Sequence, residues 1–167
     1  MDERIRILIL GSFPSAASLA KGQYYGHPQN QFWRLVGQVI GEPLHELPYE
    51  QRLSTLLAHR IGLWDVIGQC RRLGSLDGNI RNAQQNRFKR ITGVTKHLRR
   101  VCFNGKTAGK LERWFAAQGY ETIVLPSSSP ANTTALATKL EAWRSALCSS
   151  GRVGAPAKCP VRSNFLL

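Results

Sequence analysis

Apolar positions along the chain fall into short runs whose period alternates between that of a strand and that of a helix. Residues 4–10, Arg-Ile-Arg-Ile-Leu-Ile-Leu, start with charged and apolar positions in alternation and end apolar throughout. This predicts a strand that becomes fully buried toward Leu10. From Gly11 to about Pro28 the periodicity is lost and Gly, Pro and Ser are frequent, so a loop is expected. Structureless loops longer than ~12–15 residues are uncommon and usually functional. This one also carries Phe13, Tyr24 and Tyr25, which a solvated linker does not need. Phe32, Trp33, Val36 and Ile40 then share one helical face, with Asn30 expected as the cap and Gly41 as the stop.

Pro48 is expected to open a second helix through about Arg60, with Leu53, Leu56 and Leu57 inward. Residues 61–67 read as a second strand and Gly68 to Asn86 as a polar loop. Phe88, Ile91, Val94 and Leu98 suggest a helix, weakened by Gly93. Arg99–Phe103 reads as a third strand ending in Asn104-Gly105, and Lys106–Gln118 as a helix. Thr122–Leu125 is a fourth strand, Pro126–Ala131 a loop and Asn132–Leu147 the last helix. There is no internal repeat. Residues 1–147 are expected to form one domain, and 148–167, which lack periodicity, a loosely ordered tail.

Strands alternating with helices predict an α/β protein: a three-layer αβα sandwich with a central four-stranded parallel sheet. In such sheets ligands bind outside the carboxyl ends of the strands. The loops Gly11–Asn30, Asp65–Asn79, Asn104–Lys106 and Pro126–Asn132 all leave such ends and are expected to converge.

Charge changes the picture next. The 167 residues hold 23 Lys+Arg against 10 Asp+Glu, a net charge of +13. Twelve of the basic residues lie between Arg71 and Arg113, opposed there only by Asp77 and Glu112. A basic field of this kind attracts a polyanion, most often nucleic acid. No apolar run approaches ~18 residues, so no membrane partner is expected. The stretch Ile7–Leu10 is too short for the ~7–15-residue core of a signal peptide, and a cytoplasmic monomer is expected. The cysteines, Cys70, Cys102, Cys148 and Cys159, show no C-x-x-C or zinc spacing. They read as structural thiols, with no metal, iron–sulfur cluster or other cofactor expected.

Two segments carry the chemistry. One is Gly11-Ser-Phe-Pro-Ser followed by Tyr24-Tyr-Gly-His-Pro-Gln-Asn-Gln-Phe-Trp33; the other is Leu125-Pro-Ser-Ser-Ser-Pro-Ala-Asn132. From residue 4 to about 147 the chain resembles the uracil-DNA glycosylase superfamily, and within it the hypoxanthine-DNA (deoxyinosine) glycosylase family. The superfamily's first motif has the form Gly-x-Asn-Pro or Gly-x-Asp-Pro, its mismatch-specific branch a His-Pro-x-Asn-x-Phe-Trp segment, and its second motif a Pro/Ser-rich loop before the last helix.

Where uracil-cleaving relatives place Asn or Asp, this chain has Phe13. A ring cannot orient water, but it can stack on a flipped base, worth on the order of 1–3 kcal/mol. The resemblance implies that Asn30 takes the catalytic role. Its amide oxygen can hold a water and its NH2 can donate to the departing purine. Spacing alone reads Asn30 as a helix cap, and the two roles can coexist.

Gly11, Ser12, Phe13, Pro14, Tyr25 and Asn104 are expected at the base pocket, although Tyr25 also suits ordinary packing and Asn104 a turn with Gly105. Ser127, Ser128, Ser129, Asn132 and Lys106 are expected against DNA, with hydroxyls and free N–H groups near a helix start holding phosphate. Asp65 and Asp77 are reserve general bases, with turn chemistry the plainer reading. Ala131 stands where uracil-cleaving relatives carry a Leu wedge. No lysine occupies the core of the two motif loops, so a Schiff-base lyase step has no obvious nucleophile and a monofunctional enzyme is expected, with Lys21 in the first loop the one residue that stands against this. The alternatives are a uracil or mismatch-specific glycosylase, and a non-catalytic DNA-binding module of the same fold. A nucleotide-handling enzyme is disfavoured by the lack of G-x-G-x-x-G or a P-loop.

Overall fold

The computed structural model describes residues 3–72, 77, 80–85, 88, 93 and 95–148. The chain runs β1 (Ile7–Gly11), α1 (Ala16–Lys21), α2 (Phe32–Ile40), α3 (Tyr49–Ala58), β2 (Ile61–Asp65), β3 (Ile67–Arg72), β4 (Ile80–Gln85), β5 (Arg100–Asn104), α4 (Lys106–Gly109), α5 (Glu112–Ala117), β6 (Glu121–Leu125) and α6 (Leu136–Cys148). Four strands form one parallel sheet in the order β2-β1-β5-β6.

Period-two alternation assigns each strand residue to a face. Ile7 and Ile9 of β1 enter a core with Phe32, Trp33 and Val36 of α2, Leu56 of α3 and Trp143 of α6. Leu8 and Leu10 enter the opposite core with Val101, Phe103, Phe88 and Phe115. Both sheet faces are therefore covered, which makes the expected three-layer sandwich. Connections leave β1 toward β2 on one side and β5 toward β6 on the other. The order reverses between β1 and β5, so the crevice between Gly11 and Asn104 is where a ligand is expected.

Several expectations need correction. The stretch from Gly68 to Asn86 is no simple loop: β3 and β4 pair as an antiparallel ribbon. Its residues are largely polar, so it shows none of the alternation that marks a half-buried strand. The helix expected over 106–118 is two short ones, α4 and α5. The last helix starts at Leu136, because Asn132 Oδ1 accepts the Thr134 N–H and closes a turn ahead of it. Arg100 does not add to an exposed basic field. It is buried, paired with Glu121 at 2.8 Å and bonded to the Ala146 carbonyl. Most of the helix expected from Phe88 to Leu98, residues Arg87, Lys89 and Arg90, and the tail after Cys148 lie outside the described residues.

The first loop is ordered rather than structureless. Ser15 caps α1 by accepting the Ser18 N–H, and Gly22 ends it in the left-handed region. Ser18 Oγ accepts the Gly26 N–H, while the Trp33 indole donates to the Tyr24 carbonyl. No helix among the described residues is long and apolar enough to cross a membrane.

Candidate active site

Gly11, Asp65, Asn104 and Leu125 end the four parallel strands in register, and the loops leaving them enclose a cavity of about 280 Å³. That is near the lower limit of small-molecule pockets, roughly 300–1,000 Å³, and suits a single base. The residues expected at the base pocket, against DNA or as a general base all line it: Gly11, Ser12, Phe13, Pro14, Tyr25, Asn30, Asp65, Asp77, Asn104, Lys106, Ser127, Ser128, Ser129 and Asn132.

Asn30 stands one residue ahead of the Gln31 cap position of α2. Its Oδ1 accepts the Phe32 N–H at 3.0 Å, and its own N–H donates to the His27 carbonyl. The backbone donor fixes the amide's orientation, since only oxygen can accept there. Nδ2 has no hydrogen-bond partner among the described residues and is left for whatever enters the cavity. The cap expected at Asn30 therefore falls on Gln31, which makes no side-chain cap bond, and Asn30 closes a turn one residue ahead of it.

The floor is built on the missing side chain of Gly11. A Cβ there would stand 2.5 Å from Asp65 Oδ1 and 3.1 Å from Tyr25 Oη. Asp65 is buried, and its pKa is pushed up to about 7, first by loss of water and then by the charge of Asp77. It is therefore a carboxyl that changes state near neutral pH. Asp77 accepts the Ser12 hydroxyl at 2.8 Å.

Tyr25 combines core and pocket roles. Its ring stacks on Phe32 at 3.8 Å, yet its backbone sits at φ +54, a region few non-glycine residues adopt. Its hydroxyl is buried beside the Asn104 amide and completes no hydrogen bond. A buried polar group left unsatisfied costs about 1–3 kcal/mol, so strain and an idle donor meet at the pocket wall. Burial, followed by the Asp65 charge, raises its pKa far above the usual phenol value.

The second loop differs from expectation in one respect. Ser128 is fully buried, and its hydroxyl and N–H are both engaged by Asn104, so it does not present a phosphate contact. Ser127 and Ser129 are half-buried. Their hydroxyls accept the Ser129 and Ala131 N–H groups, which leaves each O–H free to donate outward. Asn132 spends its amide inside the loop, on the Ser127 carbonyl and the Thr134 N–H. Lys106 is exposed at the rim, at the start of α4. Gly105 sits at φ +96, and a Cβ on it would lie 2.9 Å from Ser127 Cβ, so glycine permits the close approach of the two loops.

These strand ends, the Asn30 amide and the Pro/Ser loop form one constellation. The family model of the Uracil DNA glycosylase superfamily matches residues 1–147. The chain belongs to that superfamily. A protein named "Hypoxanthine DNA glycosylase" from Methanosarcina acetivorans is 52% identical over 132 residues, covering 79% of this chain and 84% of the relative. One of the same name from Methanosarcina barkeri is 44% identical over 146 residues, covering 87% and 92%. A solution NMR structure of a Methanosarcina acetivorans protein named after uracil DNA glycosylase superposes with a TM-score of 0.81 at 47% identity, covering 88% of this chain and 91% of that one.

Some residues of this superfamily member were not legible beforehand. Ser18 and Thr107 also line the cavity, and Ser18 betrays itself only as part of a Ser-x-x-Ser turn. Gln31 and Lys139 knit the two motif loops together from behind. A lysine in a helical stretch reads as a solvated charge, so nothing in the sequence marks it. No group of three or more His, Cys, Asp or Glu among the described residues is placed to hold a metal ion.

Proposed function

We propose that this chain is a monofunctional DNA repair glycosylase that removes hypoxanthine from deoxyinosine. Water adds to C1′ of the sugar, the glycosidic electron pair leaves with the base, and an abasic site remains. The substrate nucleotide must be taken out of the duplex to reach the cavity. The observation that carries the reading is the Asn30 amide, which lines the cavity with its oxygen pinned by the Phe32 N–H and its NH2 unengaged among the described residues. A preorganised donor at the departing purine is stronger in the transition state than in the ground state.

Phe13 supports a purine rather than a pyrimidine. It replaces the polar residue of uracil-cleaving relatives and lines the cavity while resting partly on the core beneath it. The names of the Methanosarcina relatives point to the same base. Ser127 and Ser129 offer hydroxyls to the DNA backbone, and Lys106 adds charge at the rim.

Asp65 has a second claim. A carboxyl titrating near 7 beside the cavity can take the proton of the attacking water once ionised. Asn30 and Asp65 then act on opposite ends of the reaction, the leaving base and the incoming water.

The test is incubation with an inosine-containing oligonucleotide followed by hot alkali. Strand scission at the inosine supports the reading; a mobility shift without scission supports a binding module instead. Parallel duplexes with uracil and xanthine rank the substrates.

A further inference from the structure

Lys139 is a charged side chain without accessible surface that the proposed chemistry leaves unused. It lies in the first turn of α6 and is fully buried. Its ammonium makes two hydrogen bonds, to Gln31 Oε1 at 2.9 Å and to the Asn132 carbonyl at 2.8 Å. Both acceptors are neutral. Among the described residues no carboxylate pairs with it. Burial accordingly lowers its pKa from the ordinary lysine value. A buried charge without a counter-charge is costly, and an apolar residue of similar volume often serves stability as well or better. Packing alone therefore gives no reason for a lysine here.

Its two acceptors supply a reason. Gln31 follows Asn30 directly and takes the cap position of α2. Its backbone N–H donates to the Ser128 carbonyl at 3.0 Å, so backbone and side chain both tie it to the second loop. Asn132 closes that second loop through the Ser127 carbonyl and the Ser129 carbonyl. One ammonium thus joins the turn that carries the Asn30 amide to the loop that carries the Ser127 and Ser129 hydroxyls, the phosphate contacts of the proposed function. A methionine cannot donate to either loop, and it carries no charge behind a surface built for an anion.

We propose that Lys139 is a positioning residue: it latches the Asn30–Gln31 turn to the Ser127–Asn132 loop, and a DNA phosphate on the loop's outer side supplies its missing counter-charge. The inference rests on the reading of Asn30 as the reacting amide and of this loop as a phosphate contact. It goes beyond that reading by giving the loop's affinity and the amide's aim a common origin.

Lys139→Met and Lys139→Gln separate the latch from the charge. Met removes both; Gln keeps an amide donor and loses the charge. Three quantities are read: melting temperature, excision of hypoxanthine in a single turnover at saturating enzyme, and affinity for an abasic-analogue duplex across a salt series. Lys139→Met is expected to stay folded and to lose roughly tenfold to a hundredfold in single-turnover rate, the scale of a misplacement on the order of 1 Å. Extra enzyme does not restore it, because the defect is in aim rather than binding. Lys139→Gln recovers part of that rate. In both variants the slope of log affinity against log salt falls, by up to about 0.9, the value of one phosphate. Wild-type rate in folded Lys139→Met overturns the latch, and an unchanged slope in both variants overturns the phosphate coupling. The slope is read from binding alone. Full excision by Asn30→Ala would sink the Asn30 assignment and leave the slope result standing.

Discussion

Asn104 and Ser128 hold each other by two hydrogen bonds: Asn104 Nδ2 donates to Ser128 Oγ, and the Ser128 N–H donates to Asn104 Oδ1, each at 2.8 Å. Both residues are buried. The pair fastens the second motif loop to the end of β5, at the point where the strand order reverses. Asn104→Ala leaves two buried groups of Ser128 without partners, each costing about 1–3 kcal/mol. A loss of stability on the order of 2–6 kcal/mol is expected in urea denaturation. A loss below about 0.5 kcal/mol, the range of neutral surface substitutions, would mean that the loop is held elsewhere.

Gly11→Ala tests the pocket floor. The added Cβ would stand 2.5 Å from Asp65 Oδ1, so the carboxyl or the strand end must move. Overpacking of this kind costs about 1–3 kcal/mol. Excision is expected to fall far more than melting temperature does. Retained excision would show that the Asp65 and Tyr25 side of the cavity is not in contact with substrate.

Phe13→Asn tests specificity. It restores the residue type of uracil-cleaving relatives and removes a stacking face worth about 1–3 kcal/mol. Hypoxanthine excision is expected to fall about tenfold to a hundredfold, with uracil excision rising relative to it. Part of the ring rests on the core, so melting is followed in parallel. An unchanged uracil-to-hypoxanthine ratio would leave Phe13 with packing alone.

Asp65→Asn tests the titration of the floor. The folded protein holds the Asp65 proton up to about pH 7, while the unfolded chain releases it near 3.8. Between these values the folded state binds more protons, so the Asp65 contribution to stability is fully present at low pH and is lost as pH rises through about 7. Asparagine cannot ionise. Asp65→Asn is therefore expected to raise the melting temperature over wild type more at pH 8 than at pH 5. Equal shifts at both pH values would contradict the raised pKa.

The parallel sheet was legible because both of its cores leave a periodic trace: Ile7 and Ile9 answer to one face, Leu8 and Leu10 to the other. The site was legible because its residues cluster in two loops at strand ends, and topology brings such ends together. The β3–β4 ribbon was not, since its residues are largely polar. Ser128 was misplaced for a related reason. Three consecutive serines look equivalent in sequence, but only the middle one turns inward to Asn104. Lys139 shows no signature at all, because its partners stand far away in the chain, at Gln31, and just ahead of its own helix, at Asn132.

Single-turnover excision of hypoxanthine by Asn30→Ala and Asn30→Asp shows whether the Asn30 amide acts in the reaction. Losing one preorganised donor typically costs a factor on the order of 10²–10³. Asn30→Ala is expected to lose that much, with DNA affinity little changed and about 0.5–2 kcal/mol of stability lost with the turn at Phe32. Asn30→Asp keeps an oxygen for the Phe32 N–H but has no NH2, so it is expected to fold normally and still fail to excise at neutral pH. A folded Asn30→Ala protein that releases hypoxanthine at the wild-type rate would remove the amide from the reaction and leave Asp65 as the residue to test.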